Sequence, residues 1–422
     1  MKNLILCFVL SLGVVSGFSQ ELQNIYKSGK VQLVADENYA QGNDWNTIFR
    51  SYYDAIQGNH IGSRKSLLVL PDGSVIVNHA NQKYHSKFSP TGIFINEIVV
   101  ENSSHRPLIG VLDDDKMFTD IDNMGKLYII DLNGKLIKTL HLDYMSRQVV
   151  AIGNNKIAVS GWVIWAKKFR SFVSIVDYQT NEEKIIWEKF TDRTGLAPKN
   201  ESKRSNPFNY TGKLKNGFLF MFTSMPYAAN TGKGLPIKIT SFKDKLLLAD
   251  PNTGELIVFD SAGNLLNKEK VNWANDNISV KDQKIIQSKA IEEYKALLGG
   301  DDNKIELKQE DYQQLISEME YDLNNITEPI IKPYFSNIIK DSDDNILIFE
   351  IPEEENANQF HVWVFNNEGS FTNSCTFLTE DYNLSISASK MVFHDGYLYS
   401  LQVLKDADAN PLRLVRFKLV AD

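Results

Sequence analysis

Only two cysteines occur in the 422 residues. Cys7 lies in the leading apolar stretch 4–15, so once that stretch is removed Cys375 stands alone and no intramolecular disulfide can form. Long apolar runs are missing as well. The stretch 4–15 is shorter than the roughly 20 residues a helix needs to cross a bilayer, and no later segment is apolar enough to span one. Positive charge is in deficit: 45 Lys and Arg face 53 Asp and Glu, a net charge of -8. That balance argues against nucleic acid and anionic lipid surfaces as partners, because both reward basic proteins. Catalytic signatures are absent too. None of the seven histidines (His60, His79, His85, His105, His141, His361 and His394) falls in an H-x-x-x-H, H-E-x-x-H or Cys/His pattern. No G-x-S-x-G elbow, G-x-G-x-x-G turn or Walker loop occurs, so no cofactor is implied.

The first nineteen residues have the layout of a cleavable export signal: Lys2, the apolar stretch 4–15, then small residues at Gly17 and Ser19. Cleavage is expected between Ser19 and Gln20. No cysteine stands at that junction, so a lipoprotein anchor is not expected. The reading is an exported chain, periplasmic or extracellular, acting as a monomer. Cys375, in an apolar-edged stretch, reads as a small buried residue rather than a nucleophile.

The most regular feature is a repeated turn in which a strand ends, an Asp, Asn or Ser opens a tight reversal, and a Gly precedes the next strand. Copies end at Gly92, Gly134, Gly263 and Gly369, and a version without Gly runs from Asp177 to Asn181. Gly92 to Gly134 is 42 positions and Gly134 to Asn181 is 47, the spacing of four-stranded propeller blades. A unit of this kind cannot bury its apolar face alone and must stack on its neighbours. The 82 positions from Asn181 to Gly263 are nearly two periods, leaving a seventh blade open as an alternative to six. The 106 from Gly263 to Gly369 contain a change of period. There Tyr312, Leu315, Ile316, Met319 and Leu323 mark one amphipathic helix, and Ile286, Ala290, Tyr294 and Leu297 mark another, so a helical hairpin over 279–323 is expected. The last unit lacks an outer strand, and a strand near 31–35 can supply it and remove an open edge. Trp45, Ile48, Phe49, Tyr52 and Tyr53 are expected to pack a connector against the body.

The turn copies, together with Pro333, Phe335 and the acidic turn 341–345, resemble six-bladed β-propeller proteins related to the NHL type that Bacteroidota export. The resemblance covers residues 20–422 and implies an all-β fold and an exported location, with no assigned activity.

Two constellations remain. Asp341, Asp343 and Asn345 share the spacing of a calcium loop, but Pro352 stands where a bidentate Glu is needed, so turn chemistry is the reading. Trp162, Trp165, Lys168 and Arg170, with Tyr227 as a companion, combine indole faces with cations and are the candidate ligand-binding residues. The competing reading packs the tryptophans between blades. The leading function is a non-catalytic binding or scaffold protein that recognises a glycan, peptide or partner protein through a propeller face. The alternative is a lactonase-like or lyase-like enzyme with a divalent cation in the central channel.

Overall fold

The computed structural model describes residues 22–49, 66–78, 84–99, 108–111, 117–121, 125–142, 144–153, 155–163, 168–192, 210–214, 219–222, 236–271, 273, 276–299, 305–306, 308–351, 359–384, 390–405 and 412–422. The expected signal at 1–19 and the aromatic residues Tyr52 and Tyr53 lie outside them.

Antiparallel four-stranded sheets follow one another along the chain. Sheet I contains Ser66–Val69, Val75–Asn78, Tyr84–Phe88 and Phe94–Val99. Sheet II contains Leu108–Val111, Met117–Ile121, Lys126–Asp131 and Leu136–His141. Sheet III contains Met145–Gly153, Lys156–Val163, Lys168–Asp177 and Glu183–Asp192. Sheet IV contains Lys238–Phe242, Lys245–Asp250, Glu255–Asp260 and Leu265–Lys270. Sheet V contains Asn337–Lys340, Ile346–Phe349, Gln359–Phe365 and Phe371–Leu378. Sheet VI takes three strands from the end of the chain, Met391–His394, Tyr397–Leu404 and Leu412–Ala421, and its outer strand, Lys30–Ala35, from the beginning.

The first strand of each sheet neighbours the first strand of the next, and Met391–His394 in turn neighbours Ser66–Val69. Sheets radiating from adjacent inner strands are the arrangement of a β-propeller. An apolar cluster fills each gap between successive sheets. Leu127, Ile129 and Leu140 of sheet II, for example, meet Val149, Val159 and Phe172 of sheet III. Between sheets III and IV the cluster is built from Ile175, Ile239, Leu248 and Phe259.

The repeated turn has one construction. In the Asp131 copy, the carboxylate accepts the backbone N–H groups of Asn133 (2.8 Å) and Lys135 (3.0 Å), while the Gly134 N–H donates to the Asp131 carbonyl (3.0 Å). Asp260 and Asn366 repeat this set with Ala262 and Asn264, and with Glu368 and Ser370. A short side-chain acceptor thereby satisfies the donors of a tight reversal. Gly134 lies at φ +86°, and a Cβ there would come within 2.4 Å of the Val99 carbonyl oxygen of sheet I. The glycine thus both closes the turn and lets sheet II approach its neighbour.

The N-terminal strand joins two sheets. Lys30–Ala35 runs antiparallel to Leu412–Ala421, with Val31 opposite Ala421 and Ala35 opposite Phe417. It also runs parallel to Phe371–Leu378 of sheet V, Lys30 opposite Thr376 and Gln32 opposite Leu378, so sheets V and VI, with the short strand Tyr382–Asn383 paired to Tyr397–Leu404, fuse into a nine-stranded sheet. Val31 and Leu33 point into the shared core with Phe349, Phe377 and Phe417. The preceding helical turn at 22–27 is pinned by the Tyr26 hydroxyl, which donates to Asp341 Oδ2 (2.9 Å), and by the Gln23 amide, which donates to Asn345 Oδ1 (2.9 Å). Asp341 also accepts the N–H groups of Asp343 (2.8 Å) and Asn345 (2.9 Å), so the acidic turn 341–345 is occupied with local bonding.

Elements outside the sheets lie between them. Helix α1 (Trp45–Phe49) follows the N-terminal strand. Helices α2 (Val280–Gly299) and α3 (Gln309–Asn324) pack on each other between sheets IV and V. Ser279 and Asp282 cap α2 reciprocally: the hydroxyl donates to the carboxylate (2.6 Å) and accepts the Asp282 N–H (3.1 Å). Helix α3 buries Leu315, Ile316 and Met319 as its periodicity predicts. The buried face of α2 is rotated from the apolar stripe, because Gln283 and Gln287 are buried beside Ala290 and Ile291. Gln283 donates to the carbonyls of Ile278 and Glu328 (both 2.9 Å), and Gln287 donates to that of Met319 (3.1 Å). Polar side chains that bind backbone carbonyls thus occupy places where an apolar count looks for hydrocarbon. In the long interval after sheet III, Tyr210–Leu214 pairs with Leu219–Phe222 and with Ile305–Glu306 of the α2–α3 connection. That hairpin therefore belongs to a three-stranded sheet shared with the helical segment.

Candidate functional site

Antiparallel order sorts the connections. Those from first to second and from third to fourth strand emerge at one end of each sheet, and those from second to third strand, or on to the next sheet, emerge at the other. The first end carries short reversals such as Leu70 to Ser74, Asp131 to Lys135 and Asp260 to Asn264. The second end carries α2, α3 and the 210–222 hairpin, whereas the segment before α1 bonds to a first-end reversal of sheet I, Ala40 N–H to the Thr91 carbonyl (2.9 Å) and the Asn43 amide to the Gly92 carbonyl (2.8 Å). Long connections on a rigid frame are where proteins place binding groups.

At this second end a cleft of about 450 Å³ opens beside sheet VI. Its walls come from the exit of the N-terminal strand with α1, from the V–VI connection at 380–382, and from the facing ends of the second and third strands of sheet VI. One part of the lining is a fixed cation. The Arg416 guanidinium lies 4.7 Å from the ring centroids of both Tyr39 and Tyr397, and its Nε donates to Asp36 Oδ2 (3.1 Å) with Nη2 bonded to the same oxygen. Burial alone pushes the Asp36 carboxyl up, but the Arg416 bond and charge outweigh it and hold the group below its ordinary range. Tyr39, 7% exposed, meets Tyr399 edge-on at 5.7 Å, and burial drives its phenol well above its ordinary value.

The rest of the lining is more open. Trp45 stacks on Phe49 at 5.1 Å, and the Arg413 guanidinium sits 5.9 Å from the Trp45 ring centroid. Burial lowers the Arg413 pKa, and the neighbouring Tyr382 partly offsets this. Tyr382, half-buried, sets its ring edge-on to Phe417 at 5.5 Å. The Lys405 ammonium bonds to the carbonyl oxygen of Glu380, and the Lys405 backbone N–H donates to the Asp381 carbonyl (3.0 Å). Glu37, Glu380 and Asp381 are exposed at the same cleft. Aromatic rings, the Arg413 and Lys405 cations and exposed carboxylates therefore face one space.

A second aromatic group stands at the same end between sheets IV and V. Trp273 and Trp363 stack at 4.4 Å with an 11° interplanar angle, the Trp363 indole N–H donates to Glu350 Oε1, and Lys270 lies 5.4 Å from the Tyr334 ring centroid. Trp273 Nε1 donates to the Tyr334 carbonyl (3.2 Å). Every polar indole atom here has a structural partner, so the group reads as packing with one wet edge.

Of the residues singled out from sequence, those that are described lie at this end of the molecule. Trp162 and Lys168 stand near the end of the second strand and at the start of the third strand of sheet III. Trp165 and Tyr227 lie outside the described residues, as do the side chains of Trp162 and Lys168. Arg170 is engaged within its own sheet: Nη2 lies 2.7 Å and Nε 2.9 Å from Glu188 Oε2, with the guanidinium over Phe172 and Phe190. Cys375 is a buried core residue whose thiol burial pushes up to about 12. Among the described residues no three His, Cys, Asp or Glu side chains gather as a metal ion requires. The sequence reading missed Lys405, Arg413 and Tyr382 as a group with Trp45. They come from opposite ends of the chain, and only the N-terminal strand beside Leu412–Ala421 unites them.

No protein family's sequence profile matches the chain, and no curated protein matches it either. Solved structures similar in shape include a member of the DUF4221 family from Bacteroides vulgatus, 13% identical, covering 94% of this chain and 100% of that one with a TM-score of 0.47. Another is the β-propeller domain of Cps50 (Swd1) from Myceliophteria thermophila, 8% identical, covering 86% of this chain and 98% of that one with a TM-score of 0.36.

Proposed function

We propose that the chain is an exported, non-catalytic binding protein that holds a glycan, peptide or partner protein on the propeller face carrying the long connections. The supporting observation is the cleft beside sheet VI, where Trp45, Tyr382, Arg413 and Lys405 line one space on a rigid frame. Rings offer flat apolar faces and cations offer directed donors, the combination that small polar ligands use for affinity and orientation. The propeller is read as six-bladed and NHL-like. The return of Met391–His394 to Ser66–Val69 and the pairing of the 210–222 hairpin with Ile305–Glu306 both favour six over seven. Residues 20–422 form one monomeric domain in this reading, with 279–323 as an insertion and Trp162, Trp165, Lys168, Arg170 and Tyr227 as further contacts on the same face. Among the described residues no helix is long and apolar enough to cross a membrane.

A thermal-shift screen of the purified mature chain against a glycan and peptide panel, with divalent cations as a separate arm, tests the reading. A ligand should raise the melting temperature of the wild type and not of a Trp45→Ala, Arg413→Ala double variant. Stabilisation by calcium alone, with turnover of a lactone or a uronide, would replace binding with metal-assisted catalysis. N-terminal sequencing of the protein from the producing cell should begin at Gln20.

A further inference from the structure

One wall of the cleft is built differently from the rest. Asp36, Glu37, Tyr39 and Ala40 belong to a connection, residues 36–44, that leaves the end of Lys30–Ala35, crosses from sheet VI to sheet I and enters α1. Glu37, Asn38, Gln41, Gly42 and Asp44 are exposed, and only Tyr39 and Ala40 are buried. The connection meets the body at two places. On sheet VI, Arg416 binds the Asp36 carboxylate and lies against the Tyr39 ring. On sheet I, the Ala40 N–H donates to the Thr91 carbonyl (2.9 Å), while Asn43 donates to the Gly92 carbonyl (2.8 Å) and accepts the Phe94 N–H (2.9 Å). A Cβ on Gly92 would come within 2.7 Å of Tyr39 Cζ and 2.8 Å of the Ala40 Cβ, so the fit there is close.

Closure of this wall is opposed as well as held. Ala40 lies at φ 60°, and among the described residues it is the non-glycine at positive φ that has no polar side chain to bond the local backbone. Strain of this kind persists only where surrounding contacts impose it, and it gathers at clamps and switches. The neighbouring strand shows no such conflict, since Val31 and Leu33 sit in the core shared by sheets V and VI. A charge-assisted pair and a close seat thus work against a strained backbone, and a balance of that kind opens locally while the strand beside it stays seated. We infer that residues 36–44 form a strap that opens and closes over the cleft, latched by Arg416 on Asp36 and sprung by Ala40. Its role as a gate rests on the binding reading above. A ligand in the closed cleft touches Asp36, Tyr39 and Ala40 and so favours the closed strap.

Thiol labelling of the full mature chain reads the opening. Leu414, 2% exposed, lines the cleft and packs in one cluster with Tyr39 and Ala40, so Leu414→Cys places a reporter behind the strap. Cys375, also 2% exposed but in sheet V, times global unfolding. Iodoacetamide should alkylate the introduced thiol at least about tenfold faster than Cys375, because local openings cost less than global ones. Asp36→Asn should speed that labelling about tenfold, as loss of the charge on a hydrogen-bonded pair predicts. Ala40→Gly should slow it about threefold by relieving the left-handed backbone. In the chain with Leu414 intact, hydrogen exchange at 37–44 should be faster than at 31–35 and should respond to the same two variants. Labelling of the introduced thiol at the Cys375 rate, or at a rate that neither variant alters, would overturn the strap and leave the binding reading standing. Local opening in a chain that no compound of the glycan and peptide panel stabilises would keep the strap and remove the gate.

Discussion

Gly134 and Gly369 hold the same place in the same turn, at φ +86° and +89°, yet their replacement should have unequal costs. A Cβ at Gly369 meets nothing within 4 Å, so Gly369→Ala carries only the left-handed backbone penalty, about 1 to 2 kcal/mol. At Gly134 the same penalty is joined by a clash with the Val99 carbonyl, and urea unfolding should show a further loss of about 1 to 3 kcal/mol. Equal losses would mean that sheets I and II do not meet through this turn. His85, 1% exposed, makes a separate prediction. Burial pulls its imidazole down to about 3, so between that value and the ordinary 6.5 the unfolded chain binds a proton that the native chain does not. Its neutral burial is therefore fully compatible with folding above pH 6.5, and stability falls as pH drops, by about 2 kcal/mol from pH 7 to pH 5. A His85→Asn chain should lack that part of the acid sensitivity, and an unchanged drop would contradict the buried neutral imidazole.

The N-terminal strand is the element on which most depends. Leu33, 2% exposed, faces the core shared by sheets V and VI, whereas Val34, 45% exposed, faces solvent. Leu33→Ala should cost about 2 to 5 kcal/mol and Val34→Ala about 0.5 kcal/mol or less, read from urea midpoints. Reversal of that order would mean the strand is seated one residue out of register. Much of the element pattern was legible in the sequence. Asp131, Asp260 and Asn366 announce their turns because the same side chain that favours a reversal also bonds its donors. Helix α3 was legible through Leu315, Ile316 and Met319. The buried face of α2 was not, since Gln283 and Gln287 enter the interior by binding carbonyls, which an apolar period does not register. The 210–222 hairpin was legible as two strands, as a degraded blade or an elaboration, but its sheet was not, because its third strand, Ile305–Glu306, lies far along the chain.

At the scale of the whole molecule, the two ends of the sheets divide the work. Short Asp and Gly reversals stabilise one end, and the other carries the long connections and the cleft. The cleft could not be read from spacing, because Trp45, Lys405 and Arg413 become neighbours only when the first strand of the chain lies beside the last. The candidate residues near Trp162 were visible because they are adjacent in sequence, and Arg170 among them proved to be held by Glu188. Closure of the ring depends on the seating of residues 30–35 between Phe371–Leu378 and Leu412–Ala421. Native-state hydrogen exchange measures it directly. Peptides covering 31–35 should exchange as slowly as those covering Phe371–Leu378 and Leu412–Ala421 and open together with them; rapid exchange at 31–35, with those two strands still protected, would contradict the closure and the cleft built on it.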